Sequence, residues 1–225
     1  VKMEILRILS VLLLAYLVGS IPSGWIVVKI ATGKDVLKVE SGRTGGTNAM
    51  RAAGFFAGLV TALLDVLKGV STGWIVSWLM PGDVWLQVLA AVLAIIGHNY
   101  SVFLLKLDEN GRLHFRGGAG GATALGGAIA LWPQAWMVIL PLAVLVFLLV
   151  GYASVTTISI AASALLVFIY RAAVGTSPWV YVLYGALALA IVVIALRPNL
   201  ERLKRGTERI VGLRAYLLKK AGRKP

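Results

Sequence analysis

Long apolar runs alternate with short polar stretches along most of the chain. The apolar runs lie at Ile8–Ile30, Phe55–Met80, Val84–Leu105, Gly117–Trp132, Ala135–Tyr152, Val155–Tyr170 and Trp179–Leu196. A helix that crosses a membrane needs roughly 20 consecutive apolar residues. The pattern therefore predicts an all-α integral membrane protein of about seven transmembrane helices, with residues 1–197 as one multi-spanning domain.

Two features of the runs modify this picture. Pro22 lies inside the first run among glycines and serines, and we expect the helix to kink or unwind there. The fourth and sixth runs are shorter than an untilted span. These segments are expected to be tilted. The alternative for the fourth is a re-entrant segment, which would leave six spans.

The composition supports a membrane protein and excludes several kinds of site. Hydrophobic residues make up 59% of the chain and charged residues 14%, too few charges for a soluble protein of this size. The absence of cysteine excludes disulfides and thiolate metal sites. Two histidines, His98 and His114, cannot form a histidine-rich metal cluster. We predict no metal site and no cofactor.

The basic residues are distributed asymmetrically along the chain. A net charge of +13 would suggest nucleic acid in a soluble protein. Here 18 of the 22 lysines and arginines lie in the predicted loops 32–52 and 106–121, at the adjoining span end, or in the tail. The positive-inside rule then places these segments and the basic tail 198–225 in the cytoplasm, and the N-terminus outside. We expect anionic lipid, and no nucleic acid, as a partner.

The first cytoplasmic loop combines glycines, short polar side chains and arginines between Ser41 and Arg51. Glycines let backbone amides approach an anion, and guanidinium groups bind phosphate with two parallel hydrogen bonds. The residues assigned here to phosphate are Ser41, Arg43, Gly45, Thr47 and Arg51. The alternative is a flexible polar loop that only connects two spans.

A second glycine-rich segment, from Phe115 to Thr123, opens the fourth apolar run. Free amides at the start of a helix favour an anion. The residues assigned to phosphate here are Arg116, Gly117, Gly118, Gly120 and Gly121. Close packing of small residues between helices is the alternative and is compatible with this role.

Several ionisable residues fall inside or beside the apolar runs. Asp65 and Lys68 lie three residues apart on one helix face, and we expect them to neutralise each other. The pair would also suit a transporter, but the one-sided clustering of glycine and arginine argues against a path through the membrane. We interpret His98 as a hydrogen-bonded structural residue. The stretch from Arg197 to Glu208 alone suggests a basic segment at the membrane surface.

Taken together and in order, these segments resemble the bacterial acyl-phosphate-dependent glycerol-3-phosphate acyltransferase family, PlsY. The resemblance covers most of the chain. It is carried by Gly19–Gly24, Ser41–Arg51, Asp65–Gly69, Gly97–Phe103, Phe115–Thr123 and Asn199–Glu208. Several ordered matches are far more specific than any single glycine-rich loop.

The resemblance implies a seven-span enzyme of the inner membrane with a cytoplasmic active site. It implies acyl transfer from acyl phosphate to the 1-hydroxyl of glycerol 3-phosphate, giving lysophosphatidic acid for phospholipid synthesis, without a side-chain general base. The implied catalytic residues are Ser41, Asn48, Arg51 and Asn199, with Glu208 as a structural polar residue of the same motif. The expected partners are the two substrates, membrane lipids and the enzyme that makes acyl phosphate.

The chain departs from the family pattern at three positions. Arg43 replaces the usual asparagine, Ala119 the usual phosphate-binding lysine, and Leu196 the usual histidine. An insertion around 108–114 also lengthens the third loop. We hypothesise that Arg43 supplies the charge missing at Ala119. The alternatives are a diverged paralogue that uses another phosphorylated acceptor, and a non-catalytic membrane protein that binds lipid or phosphate.

Overall fold

The computed structural model describes residues 1–107 and 110–222 of the chain. It is mostly helical, in agreement with the sequence pattern. The helices are α1 Lys2–Ser20, α2 Ser23–Thr32, α3 Gly46–Ala53, α4 Phe55–Leu79, α5 Val84–Asn99, α6 Gly121–Leu131, α7 Ala135–Leu149, α8 Ala153–Ala173, α9 Val180–Ala195, α10 Arg197–Lys204 and α11 Gly212–Lys220. A short 3₁₀ turn covers Val36–Lys38, and strands β1 Ser101–Leu107 and β2 Leu113–Arg116 complete the chain.

The first apolar run is interrupted at Ile21 and Pro22, as the sequence predicts. Proline has no amide hydrogen and cannot continue the hydrogen bonds of α1. The carbonyl oxygen of Ile21, which the interruption releases, accepts a hydrogen bond of 2.7 Å from Lys68 Nζ on α4. A buried charge thus stabilises the break between α1 and α2.

The lengths of the apolar helices fall into two groups. Among the described residues, Lys2–Thr32, Phe55–Leu79 and Ala153–Ala173 are long and apolar enough to cross a membrane. A fourth candidate is α9 with α10, which meet at an angle of 63°. Helices α5, α6 and α7 are apolar but shorter. The sixth run, expected to be short, forms a 21-residue helix because the residues on both sides of it, mostly alanine, continue the same helix.

The third apolar run is not one helix, and here the all-α prediction is wrong in part. Helix α5 ends at Asn99, and Ser101–Leu107 pairs antiparallel with Leu113–Arg116 instead of forming the end of a span and a loop. The residues after Asn99 are rich in β-branched and aromatic side chains, which favour strands. Residues 108 and 109 of the predicted insertion lie outside the described residues.

Helix α6 lies deep in the protein because small residues allow its neighbours to approach. A Cβ atom built on Gly126 would lie 2.0 Å from the carbonyl oxygen of Val66, and one on Gly69 would lie 2.3 Å from that of Thr123. Only hydrogen at these positions permits the contact between α4 and α6. On its other side α6 packs against Phe168 and Tyr184, which are fully buried. This packing fixes the start of α6.

The segment after α9, which the sequence assigns to the basic tail, is folded. The chain turns at Leu196 from α9 into α10, and then returns to the turn between α7 and α8. There Val211 donates its amide hydrogen to the carbonyl oxygen of Gly151 at 2.8 Å. Residues 197–211 are therefore held against the turn between α7 and α8, and the boundary predicted at 197 stays a prediction. Residues 223–225 of the tail lie outside the described residues.

Candidate active site

A cavity of about 420 Å³ lies where the first polar loop, the start of α6 and the segment after α9 meet. Polar residues form one side of it: Ser41, Arg43, Gly45, Thr47, Asn48, Arg51, Ser154, Asn199, Arg202, Glu208 and Arg209. The other side is apolar and comes from α4, α7 and α8: Phe55, Leu59, Ala62, Val144, Phe147 and Ile160. The cavity thus joins a cationic, hydrogen-bonding pole to an apolar arm between helices.

Asn48 holds the first polar loop in shape. Its side-chain nitrogen donates hydrogen bonds to the carbonyl oxygens of Val36 at 3.1 Å, Val39 at 3.0 Å and Arg43 at 2.9 Å. The residue is only 3% exposed. Its amide nitrogen is therefore committed to the loop backbone, and its predicted catalytic role stays a prediction.

Arg43 connects three separate segments of the site. Its guanidinium donates to the carbonyl oxygen of Gly118 at 3.2 Å, to that of Ala195 at the end of α9, and to Asn199 Oδ1 at 3.3 Å. Burial lowers the pKa of Arg43, and the charge of Arg202 lowers it further while that of Glu208 opposes the shift. Sequence reasoning selected this residue for its charge but did not anticipate its connecting role.

Arg51 lies in the last turn of α3, whose first turn carries Thr47 on the cavity wall. Burial lowers the pKa of Arg51, the charge of Arg209 lowers it further, and Glu40 opposes the shift. Arginine stays protonated in proteins in spite of such shifts. A half-buried cation beside a second cation is an arrangement that an incoming anion would stabilise.

The glycine-rich segment is only partly at the cavity. Gly120 and Gly121 line it, and Gly120 has φ +86°, a conformation that glycine adopts without strain. Gly117 and Gly118 do not line it, and the amide of Gly118 donates to the carbonyl oxygen of His98 at 2.9 Å. That amide is already bonded to His98, and the assignment of Gly118 to phosphate stays a prediction.

Arg116 was also assigned to phosphate from the sequence. It ends strand β2, is exposed, and does not line the cavity. The pairing of β1 with β2 makes this arginine the partner of Ser101 at the end of the hairpin. A local sequence pattern could not reveal this, because the hairpin depends on pairing with residues 101–107.

The buried charges at the deep end of the cavity are paired. Lys68 Nζ lies 2.8 Å from Asp65 Oδ1 and 3.2 Å from His98 Nδ1. The Lys68 and Asp65 side chains are only 6% and 1% exposed. The other ring nitrogen of His98 lies under Gly118, where an added Cβ atom would meet it at 1.9 Å. These contacts support structural roles for Asp65, Lys68 and His98.

The segment after α9 contributes a connected polar network. Glu208 accepts hydrogen bonds from Asn199 Nδ2 at 2.9 Å, Arg202 Nε at 3.0 Å and Ser154 Oγ at 3.4 Å. Asn199 in turn accepts from Arg43. The carboxylate of Glu208 is thus used to position neighbouring side chains and is poorly placed to act as a free base.

Three cavity residues escaped the sequence analysis. Arg202 and Arg209 were counted only as part of the basic tail, although their position beside Asn199 and Glu208 could have drawn attention to them. Ser154 lies in an apolar stretch, and nothing in the sequence around it indicates a place at the cavity. Its position depends on the turn between α7 and α8 that brings it to Glu208.

The sequence matches the model of the glycerol-3-phosphate acyltransferase family over residues 9–206. The chain belongs to this family. A relative from Moorella thermoacetica, glycerol-3-phosphate acyltransferase 2, is 39% identical over 211 residues, which cover 92% of this chain and 99% of the relative. A glycerol-3-phosphate acyltransferase from Thermus thermophilus is 38% identical over 91% of this chain and 95% of its own.

Solved structures of the same family agree with the fold. The crystal structure of PlsY, an integral membrane glycerol 3-phosphate acyltransferase, in its glycerol 3-phosphate form superposes with a TM-score of 0.78 at 31% identity. It is matched over 93% of this chain and 98% of PlsY. The lysophosphatidic acid form gives a TM-score of 0.72 at 30% identity, over 94% and 98%. The fold described above is therefore that of an integral membrane protein.

Proposed function

We propose that this protein transfers a fatty acyl group from acyl phosphate to the 1-hydroxyl of glycerol 3-phosphate and forms lysophosphatidic acid. The observation that carries the proposal is the shape and chemistry of the cavity. Its cationic pole suits phosphate groups, and its apolar arm along Leu59, Phe147 and Ile160 suits an acyl chain. Membership of the acyltransferase family supports the same reaction.

The reaction needs positioning more than strong acid–base chemistry. The 1-hydroxyl oxygen attacks the acyl carbonyl carbon, the bond from that carbon to the phosphate oxygen breaks, and the hydroxyl proton leaves with the departing phosphate. Acyl phosphate is already activated, so placing the two reactants accounts for much of the acceleration. The amides at the start of α6, beside Gly120 and Gly121, are suited to the negative charge that develops.

The remaining predicted residues have distinct proposed roles. Ser41, Thr47 and Arg51 bind substrate phosphate, and the backbone at Gly45 lets phosphate approach the loop. Asn199 orients the acceptor and Arg43. Arg43 places its charge beside Gly118 and so next to Ala119, which supports the hypothesis that it supplies the charge that the family's lysine provides elsewhere.

We further propose that seven spans place the cavity at the cytoplasmic face of the cell membrane. The clustering of lysine and arginine in the loops and tail that form the cavity supports this orientation. The acyl donor then enters sideways from the bilayer, between α4 and α7. Phe55, Leu59 and Val144 are exposed there and leave an apolar passage.

One assay tests the proposed function. Purified protein in lipid is given palmitoyl phosphate and glycerol 3-phosphate, and phosphate release and lysophosphatidic acid are measured together. We expect both products in equal amounts, and for Arg51→Ala a much higher KM for glycerol 3-phosphate or no turnover. Phosphate release without lysophosphatidic acid, turnover only with other polyol phosphates, or a fully active Arg51→Ala variant would contradict the assignment.

A further inference from the structure

Arg209 lies at the solvent-exposed rim of the cavity and is bound there by one residue of the first polar loop. Its Nε lies 2.9 Å from Glu40 Oε2, and its Nη2 donates to the backbone oxygen of Glu40 at 3.3 Å. The two residues are 169 positions apart in the chain. This contact joins the loop that carries Ser41 to the segment that follows Glu208.

Glu40 has an unusual backbone conformation. Its φ is +45°, and among the described residues it is the one non-glycine residue with a positive φ. Such a conformation is strained for a residue with a side chain and persists only where neighbouring contacts hold it. The double contact with Arg209 is made at this turn, next to Ser41.

The ion pair itself is weakly held. Both side chains are largely exposed, 40% for Arg209 and 49% for Glu40, and exposed ion pairs contribute little to stability. Arg51 lies near enough for the charge of Arg209 to affect it. One exposed carboxylate, that of Glu40, therefore pairs with Arg209 and acts electrostatically on Arg51, and a phosphate with two negative charges would be a stronger partner for both arginines.

We propose that Arg209 is a substrate-binding residue that exchanges Glu40 for the phosphate of glycerol 3-phosphate. This inference rests on the proposed function. We assign Arg209 to the phosphate of glycerol 3-phosphate because three carbons separate that phosphate from the reacting hydroxyl. When the acyl chain lies in the apolar arm, the acceptor phosphate therefore points to the solvent-exposed rim. In the free protein, Glu40 holds Arg209 in place until the acceptor binds.

Separate substitutions of the two partners distinguish binding from a structural role. Arg209→Ala is expected to raise KM for glycerol 3-phosphate by about 10- to 100-fold, the loss expected for a charged hydrogen bond. Glu40→Gln frees Arg209 and is expected to leave that KM unchanged or lower it. The reversed pair Glu40→Arg with Arg209→Glu restores an ion pair but not the cation at the cavity, so KM should stay high.

The controls separate this inference from the proposed function. Arg205→Ala removes an exposed arginine of the same segment outside the cavity and should behave like the parent protein. Thermal unfolding identifies variants that fail to fold, and Arg209→Lys should recover part of the loss. Competition by inorganic phosphate for a fluorescent phosphate analogue measures anion affinity without turnover, and Arg209→Ala should weaken it.

The outcomes are decisive in either direction. If the parent protein makes no lysophosphatidic acid, the proposed function fails, and the phosphate competition alone decides the role of Arg209. The inference is overturned if Arg209→Ala raises KM no more than Glu40→Gln does, if the reversed pair restores KM, or if phosphate affinity is the same in Arg209→Ala and the parent.

Discussion

At the scale of single residues, the site depends on arginines, which supply both a positive charge and hydrogen-bond donors in fixed directions. Arg43 differs from the others because its planar fork reaches the backbone of Gly118 and Ala195 and the side chain of Asn199. Guanidinium groups have fixed donor directions, which lysine cannot reproduce. Arg43 therefore orders three segments of the chain while it places a positive charge beside Ala119.

Replacing Arg43 should separate its two roles. Arg43→Ala is expected to lower kcat/KM by about 100-fold, because it removes the charge and releases the segments it connects. Arg43→Lys keeps the positive charge and should therefore lower kcat/KM less than Arg43→Ala does. Steady-state kinetics with both substrates varied would measure these effects. A wild-type value for Arg43→Ala would show that the charge at Ala119 is not compensated from this position.

Arg116 provides the matched comparison for this prediction. It was assigned to phosphate from the sequence, but it lies on the exposed hairpin outside the cavity. Arg116→Ala should therefore keep kcat and both KM values close to those of the parent protein. A loss as large as that of Arg43→Ala would mean that the hairpin folds over the site during turnover.

At the scale of elements, the position of the site depends on how closely α4 and α6 approach. Gly69 and Gly126 face each other across this contact, where a Cβ atom on either would meet backbone. The start of α6 supplies the glycine amides, and α4 supplies Asp65 and Lys68. A shift between the two helices would move these groups relative to each other.

Gly126→Ala should therefore reduce stability and activity together. A side chain forced into a close-packed contact typically costs about 1 to 3 kcal/mol. The matched variant is Gly73→Ala in the same helix pair, where the nearest atom is Ala130 Cβ at 3.1 Å, so a much smaller displacement suffices than at Gly126, where backbone lies at 2.0 Å. Thermal unfolding in detergent should give a lower Tm for Gly126→Ala than for Gly73→Ala. Equal values would refute the assigned contact.

At the scale of the whole molecule, the fold brings a polar loop, a helix start and a C-terminal segment to one end of an apolar bundle. Charges within the bundle are paired, as in Asp65 with Lys68, while half-buried arginines gather at the cavity. Such an arrangement lets a water-soluble phosphate and a lipid-soluble acyl chain meet at the membrane surface without crossing it.

The orientation predicts opposite sides for the two ends of the chain. Since the chain has no cysteine, single cysteines can be introduced at Lys2 and Lys219, both exposed. A membrane-impermeant maleimide should label Lys2→Cys in intact spheroplasts and Lys219→Cys only after permeabilisation. Labelling of both from the same side would instead favour six spans with a re-entrant fourth segment.

The sequence by itself determined the class of protein and pointed to several residues that line the cavity. Apolar runs of sufficient length specify membrane helices because apolar side chains are stable in the hydrocarbon core of a bilayer and charged ones are not. Pro22 breaks a helix because proline has no amide hydrogen to donate. The polar loop from Ser41 to Arg51 was recognisable because its glycines, polar side chains and arginines follow one another within one short stretch of sequence. Asp65 and Lys68 were recognisable as a pair because helical spacing brings them to one face.

Only the tertiary structure decided which groups meet. The partners of Arg43, the ion pair of Arg209 with Glu40, and the distance of Arg116 from the cavity all depend on contacts between residues far apart in the chain. The hairpin after Asn99 likewise needs a partner strand. Sequence patterns report local preference, whereas packing between distant segments decides which amide is already bonded and which arginine faces the substrate.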